Sequence, residues 1–423
     1  MPDTLPSLCS APWFQIHSEP NGVINPCCYY DIEKPIGNWN DAGIMDIYNS
    51  DNWNTLRSEF LEGKKPAGCS KCWKEESAGV ISARQRWNNQ YSMMRKTDDI
   101  VEEVKNNTNE DGSVKTPIIG TVDLIYSNLC NLSCRSCGPQ LSTGWYADTV
   151  KYYGIKMHGP ITNGSNKDLE QDTKRLVDAM DPHGEIHFSG GEPLMHPEQY
   201  DLLQYLLEND KKDVYLRYNT NLTVFTFKGK SVFDILAPFN NVILIGSIDA
   251  MGEQGEYIRK GFDWDKAIEW MKTAQEKLPK ARLGISTVYS LLNSYAAIDL
   301  CKYLIENKLE TGGGYHLNMV HTPDWYHTGL LPKHVKDDLR VKIDELIEWI
   351  NIHGKENDVS MLDLLIDHWT NARNLMIEDS PNSIDKFWEM NIKLDEIRNE
   401  KFQDIFPELY EKLKNERNKQ HNT

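Results

Sequence analysis

The chain has 423 residues, with 46 Lys plus Arg against 63 Asp plus Glu and a formal net charge of −17. This length exceeds the roughly 100–200 residues of a typical domain, so two or three domains are expected. The acidic balance repels polyanions and disfavours nucleic acid as a partner, and no run approaches the roughly 20 apolar residues of a membrane span or forms a basic-then-apolar leader, so a cytoplasmic protein is expected.

From the N-terminus, residues 1–96 read as a small cysteine-rich α+β domain with its own tryptophans. In WFQIHSEPNGVINPCC the pair Asn21-Gly22 lies between two alternating runs and predicts a hairpin with a two-residue loop. Such a loop would bring Cys27 opposite Ile16, and the preceding SAP segment could curl Cys9 toward the same place. SDNWNTLRSEFLEG reads as a helix stopped by Gly63. Cys69-x-x-Cys72 then opens a further helical segment, CWKEESAGVISARQRW. Residues 97–117 are polar and free of aromatics, and read as a linker with one short helix at most.

From 118 to 330 strand and helix alternate. The predicted strands are 120–127, 185–189, 213–219, 241–247, 281–289 and 314–320, each short, rich in β-branched or aromatic residues and bounded by Gly, Pro, Asn or Asp. Between them lie helical patterns such as HPEQYDLLQYLLEND, with Tyr200, Leu203 and Leu207 on one stripe. Six βα units in a row predict an α/β fold with a parallel sheet, right-handed crossovers and a partial (β/α)6 TIM-like barrel. Residues 331–423 read as a charged, helical C-terminal extension. In such a barrel the active residues belong at the C-terminal ends of the strands. Four consecutive strand ends carry unusual chemistry: Cys130-x3-Cys134-x2-Cys137 after the first, Ser189-Gly190-Gly191-Glu192-Pro193 after the second, Asn219-Thr220-Asn221 after the third and Ser247-Ile248-Asp249 after the fourth.

Eight of the nine cysteines fall into groups, namely Cys9, Cys27-Cys28, Cys69-x-x-Cys72 and the 130–137 triplet. In a reducing compartment such groups read as metal binding. Cys301 stands alone on a helical face with Ala297 and Leu304, and reads as a buried core thiol. Three thiolates can hold three irons of a 4Fe-4S cube and leave the fourth open, whereas zinc would require a fourth protein ligand. Taken singly, a Gly-Gly pair, a Ser-Ile-Asp strand end or one arginine is more often structural than functional.

The CxxxCxxC motif at the end of the first barrel strand, with GGEP after the second, resembles the radical S-adenosylmethionine superfamily. The resemblance covers about residues 118–322. It implies that Cys130, Cys134 and Cys137 ligate a 4Fe-4S cluster whose open iron is chelated by S-adenosylmethionine. It implies further that Gly190, Gly191, Glu192 and Pro193 hold the methionine amino group. Thr220 and Ser247 match ribose-contacting positions, with Asp249 beside them, and Arg259 matches an arginine that pairs with the methionine carboxylate. One departure is Ser136, which stands where many members carry an aromatic residue before the third cysteine. The N-terminal pattern of Cys9, Gly22, Cys27, Cys69 and Cys72 resembles the truncated SPASM extension called the twitch domain, although that module usually follows the barrel. This implies a fully ligated auxiliary iron-sulfur cluster of 4Fe-4S type, with Cys28 as the alternative to Cys27.

What these resemblances imply is reductive cleavage of S-adenosylmethionine to a 5′-deoxyadenosyl radical that takes hydrogen from a substrate. The auxiliary cluster would accept an electron in an oxidation or cross-link of a peptide or protein side chain. A ferredoxin- or flavodoxin-type donor is implied. A small alcohol or sugar is the alternative substrate, and a non-catalytic iron-sulfur or zinc sensor is the alternative of another class. The loop after the sixth strand, with His321, Asp324, Trp325, Tyr326 and His327, is a candidate substrate wall or a packed loop.

Overall fold

The computed structural model describes residues 5–77, 81–162, 169–376 and 384–421, the side chains of 415–421 excepted. In chain order the strands used below are β1 (Gln15–Ser18), β2 (Val23–Asn25), β3 (Gly37–Asn38), β4 (Ile119–Leu124), β5 (Ser133–Cys134), β6 (Met180–Phe188), β7 (Tyr215–Thr220), β8 (Asn241–Ser247), β9 (Arg259–Lys260), β10 (Arg282–Tyr289) and β11 (Gly312–Met319). The helices are α1 (Asp51–Leu61), α2 (Ser70–Ser77), α3 (Ala83–Arg95), α4 (Tyr146–Tyr153), α5 (Pro197–Glu208), α6 (Gly252–Ile258), α7 (Trp264–Lys277), α8 (Ala296–Glu306), α9 (Lys333–Glu356), α10 (Leu362–Leu375) and α11 (Ile384–Arg398). The fold is α/β with parallel strands at its core and a helical C-terminal region. Two compact units divide it: one of Met1–Asn128, Pro160–Arg217 and Pro238–Asn241, the other of Leu129–Gly159, Tyr218–Ala237 and Val242–Thr423. Strand β7 passes from one into the other.

In the first unit β1 pairs antiparallel with β2 and parallel with β4, and β4 pairs parallel with β6. The N-terminal segment therefore adds its own strand beside the first strand of the alternating region. Along β4 and β6, Val122, Leu124, Ile186 and Phe188 are buried on one face. Thr121, Asp123, Glu185 and His187 alternate onto the other, as a period of two requires. The β1–β2 turn is longer than the two residues expected. Pro20 cannot donate a backbone hydrogen bond and favours the second position of a turn, which Gly22 N closes onto Glu19 O at 2.9 Å. Gly22 follows at φ +87°, a conformation glycine adopts without penalty. The register then pairs His17 with Asn25, one residue away from the pairing that would set Cys27 opposite Ile16.

Helix α1 begins at the Ser50 cap, and Gly63 beyond its end is left-handed at φ +76°. The long helical segment expected after Cys72 is two helices, α2 and α3, and residues 78–80 between them lie outside the described residues. A capping box of Ser82 and Gln85 opens α3. Trp13, Phe14, Trp39, Tyr48, Trp53, Phe60 and Tyr91 form the aromatic core here.

In the second unit β8, β10 and β11 run parallel in that order, with Ser247, the last residue of β8, opposite Ser286. The two-residue strand β5, inside the cysteine motif, pairs antiparallel with β9 so that Cys134 faces Arg259. Helices α9, α10 and α11 pack here, and Cys301 is fully buried in α8, the core position expected for it. Tyr326 of the polar-aromatic loop is also buried, its hydroxyl donating to Asn391 Oδ1 at 3.1 Å. Among the described residues no helix is long and apolar enough to cross a membrane.

Candidate functional site

Within the second unit, the loop from Cys130 to Cys137 is fixed by its own backbone. Cys130 N donates to Thr143 Oγ1 at 3.1 Å, and Thr143 Oγ1 donates back to Cys130 O at 2.9 Å. Cys137 N donates to Cys134 O at 3.0 Å, and Trp145 Nε1 donates to the same carbonyl at 2.9 Å. Cys130 and Cys134 are buried and Cys137 is half-buried. Leu132 N lies 3.5 Å and Asn221 Nδ2 3.7 Å from Cys130 Sγ, contacts that orient and polarise a thiolate. The Cys134 thiol donates to Cys137, which, aided by the Arg259 guanidinium, lowers the Cys137 pKa. These are three sulfurs drawn from one short loop, with one of them biased toward the thiolate that metal ligation requires.

Asp249 and Arg259 form a buried pair beside this loop. Arg259 Nη2 donates to Asp249 Oδ1 at 3.0 Å, and Nε lies 2.9 Å from Oδ2. Asp249 Oδ1 also accepts from Val288 N at 2.8 Å. Burial opposes the Arg259 charge, but Asp249, with help from Cys134 and Cys137, outweighs it and raises the pKa. Arg259 thus turns its fork toward Asp249. Thr220 is fully buried at the end of β7, where its hydroxyl accepts from Leu222 N at 3.2 Å. Ser247 is half-buried at the end of β8.

Within the first unit, the strand end after β6 makes a tight turn. Gly190 and Gly191 have φ of +73° and +53°, and a Cβ on Gly190 would stand 2.2 Å from Ile125 Cγ2. Glu192 is fully buried and caps the turn that Pro193 opens, accepting from Leu194 N at 3.2 Å. Just before the glycines, Ser189 Oγ donates to Asp123 Oδ1 at 2.7 Å. Strand register brings His17, Asp123 and His187 into one row across β1, β4 and β6. His17 Nδ1 donates to Asp123 Oδ2 at 2.8 Å and Nε2 to Glu19 Oε1 at 2.9 Å, while His187 Nδ1 lies 3.4 Å from Asp123 Oδ1.

The N-terminal cysteines also converge within the first unit. Cys9, Cys27 and Cys72 are buried, Cys69 is half-buried and Cys28 is exposed. Burial pushes the Cys9 thiol up to about 12, and the nearby Cys72 charge adds to this. Cys27 is raised by burial and then by Cys9, Cys28 and Cys69, and Cys69 by burial and then by Cys9 and Cys72. Cys28, which reaches solvent, has Asp123, Lys71 and Glu19 as charged neighbours. Four thiols that oppose one another's ionisation suit a shared cationic centre, which stabilises all four thiolates at once. Among the described residues no group of three or more His, Cys, Asp or Glu side chains stands close enough to hold a metal ion, so it is the residue type and number of these thiols that suit an iron-sulfur group. Arg84 braces this region, donating from Nε and Nη2 to Glu76 at 2.8 and 2.9 Å and from Nη1 to Leu8 O.

Sequence reasoning placed Asn221 at a strand end of the active rim but did not single out His17, Asp123, His187 or Arg135. A signal existed for Asp123, a lone charge within a parallel strand that reads as apolar. Arg135 lies inside the cysteine motif, but its side-chain partners Asn391, Asp395 and Glu400 lie more than 250 positions away.

Residues 124–293 match the Radical SAM superfamily, and residues 9–73 match SPASM, an iron-sulfur cluster-binding domain. No curated protein sequence matches the chain. Among solved structures it is similar to native anSMEcpe with bound AdoMet, at 20% identity over 55% of this chain and 61% of that one, TM-score 0.40. Native anSMEcpe with AdoMet and the Cp18Cys peptide is 21% identical over 58% and 63%, TM-score 0.41. Streptococcus suis SuiB bound to S-adenosylmethionine is 17% identical over 69% and 61%, TM-score 0.36. The chain spans about three fifths of the length of each of these. The chain thus carries a Radical SAM domain over residues 124–293 and, ahead of it, a SPASM iron-sulfur cluster-binding domain over residues 9–73, which imply a 4Fe-4S cluster with S-adenosylmethionine and auxiliary iron-sulfur.

Proposed function

We propose that the chain is a radical S-adenosylmethionine oxidoreductase that oxidises or cross-links a side chain of a peptide or protein in the cytoplasm. A low-potential donor of ferredoxin or flavodoxin type would supply its electrons. The observation that carries the reading is the pairing of a three-thiol set, Cys130, Cys134 and Cys137, with a separate four-thiol set, Cys9, Cys27, Cys69 and Cys72. Three ligands leave an iron open for chemistry, and four close a cluster so that it can only pass electrons. When bound, the first cluster and S-adenosylmethionine supply a 5′-deoxyadenosyl radical that takes a hydrogen atom from the substrate.

The chain's own residues bind and orient. Gly190 and Gly191 let backbone approach the methionine end closely, with the turn held by Glu192 and Pro193. Thr220 and Ser247 serve the ribose. Asp249 fixes the Arg259 fork, so that Arg259 acts on the cofactor's carboxylate as a positioned cation already half-satisfied. Cys27 rather than Cys28 completes the auxiliary set, because Cys27 is buried as Cys9 and Cys72 are, whereas Cys28 is exposed. The in-register row of His17, Asp123 and His187, which ends at Ser189, offers polar contacts to a substrate side chain.

Two variants separate the sets. Cys134→Ala is expected to abolish 5′-deoxyadenosine formation. Cys72→Ala is expected to retain it while losing substrate turnover and about half of the bound iron. Cleavage at the wild-type rate in Cys134→Ala would contradict the assignment of the open set.

A further inference from the structure

Arg135 sits between Cys134 and Ser136, and its side chain has no exposed surface. Its guanidinium is engaged on every side. Nε donates to Tyr257 O at 3.1 Å, Nη1 to Asn391 Oδ1 at 3.0 Å, and Nη2 to Asp395 Oδ1 at 2.6 Å and Glu400 Oε2 at 2.7 Å. The group also lies 3.6 Å from the centre of the Tyr257 ring. These partners are tied to one another: Tyr257 Oη donates to Asp395 Oδ1 at 2.8 Å, Asn391 Nδ2 donates to Tyr257 Oη at 2.9 Å, and Asp395 Oδ2 accepts from Phe402 N at 2.7 Å. Lys260, on the strand paired with the cysteine loop, reaches Glu400 at 2.7 Å.

A second set of contacts joins α11 to the same loop. Cys137 packs against a core of Trp145, Tyr152 and Leu394, together with Met390 and Ile397. Arg398 Nε donates to Asp148 at 2.9 Å, and its guanidinium lies 4.8 Å from the Trp145 ring centre. Trp145 in turn holds Cys134 O. Helix α11 thus contributes a polar clamp at Arg135 and an apolar wall at Cys137, although it lies outside the residues that match either family.

Such an arrangement has two physical consequences. A buried arginine shared by two carboxylates and an amide fixes the loop in one geometry, since any displacement leaves charges unpaired away from water. An apolar wall against a ligating sulfur excludes solvent, and solvent access together with local polarity tunes the potential of an iron-sulfur site. We propose that α11 and the turn to Phe402 are a working part of the open iron site, with Arg135 as its positioning residue and Leu394, in the apolar cluster against which Cys137 packs, as its water-excluding wall. The inference rests on the radical S-adenosylmethionine reading of Cys130, Cys134 and Cys137, and assigns the C-terminal extension a role in that chemistry.

The test uses the full chain, reconstituted anaerobically, with variants Arg135→Met, Arg135→Lys and Leu394→Ala, and with Ile392→Ala on the exposed side of the same helix as control. The readouts are the S-adenosylmethionine-dependent change in the reduced-cluster EPR signal, the midpoint potential of that signal and its lifetime in air. Arg135→Met is expected to lose most of the S-adenosylmethionine-dependent change, and Arg135→Lys, which restores charge without the fork, to recover part of it. Leu394→Ala is expected to keep the signal but shift its potential upward, because entering water favours the more negative reduced cluster, and to shorten its lifetime in air several-fold. Ile392→Ala should match the wild type. Should Arg135→Met fail to fold, Leu394→Ala decides: wild-type potential and lifetime in that variant overturn the proposal. Wild-type spectra in a folded Arg135→Met overturn it as well. A wild-type chain that loads iron but shows no response to S-adenosylmethionine would fail the underlying reading, and the inference with it.

Discussion

Asp123 accepts hydrogen bonds from His17 and from Ser189, and stands close to His187. Burial alone would raise its pKa, but the charges of His187 and His17 and the hydrogen bonds from His17 and Ser189 hold it at about 2. Burial would likewise lower the His17 pKa, yet hydrogen bonds to Asp123 and Glu19 outweigh it and push the value from 6.5 up to about 9. The sign follows from linkage. The His17 contribution is complete below its unfolded value and is lost as pH rises through 9. The Asp123 contribution is complete above its unfolded value of 3.8 and is lost as pH falls through 2. Stability from this row should therefore be level between about 4 and 6.5 and fall toward pH 9. His17→Gln is expected to remove that alkaline fall and to cost about 1–2 kcal/mol near pH 6, since it leaves two half-buried carboxylates without their cation. Thermal denaturation from pH 5 to 9.5 checks both, and an unchanged alkaline slope in the variant would contradict the assignment. The cysteines and the Gly-Gly-Glu-Pro turn were legible because their spacing is local. The histidine row was not, because it exists only once three strands are set in register.

At the scale of elements, the parallel strands and the helix after Ser50 could be read from alternation and capping, whereas turn geometry could not. The Asn21-Gly22 pair promised a two-residue loop, but Pro20 set the turn one residue earlier and moved the register with it. The strand before the glycine turn starts at Met180, five residues ahead of the predicted start, which the sequence hid because Pro182 and Gly184 argue locally against a strand. The turn itself is tightly specified. Gly190→Ala must place a side chain at φ +73° and drive its Cβ against Ile125. A loss of about 1–3 kcal/mol is expected in denaturant unfolding, with weaker S-adenosylmethionine binding. Ile125→Ala in the same chain should recover the part due to the clash but not the part due to the backbone. Full stability in the single variant would contradict the geometry.

For the whole molecule, each compact unit contains one set of thiols complete in itself. The three-cysteine set belongs to the unit that also holds the C-terminal helices, and the four-cysteine set to the unit built on β1, β4 and β6. Composition and cysteine grouping made both sets visible in the sequence. What the sequence concealed was the share of the last hundred residues in the first set, since Asn391, Asp395 and Glu400 reach Arg135 only through tertiary packing. A charged helical tail read alone has no feature that announces a cofactor site.

The most direct measurement is anaerobic reconstitution of the chain with iron and sulfide, followed by S-adenosylmethionine and a strong reductant, with iron, sulfide and 5′-deoxyadenosine quantified in the same sample. Iron and sulfide for two clusters together with 5′-deoxyadenosine are the predicted result. Zinc retained in place of iron, or two loaded clusters that yield no 5′-deoxyadenosine, would contradict the radical chemistry proposed for Cys130, Cys134 and Cys137.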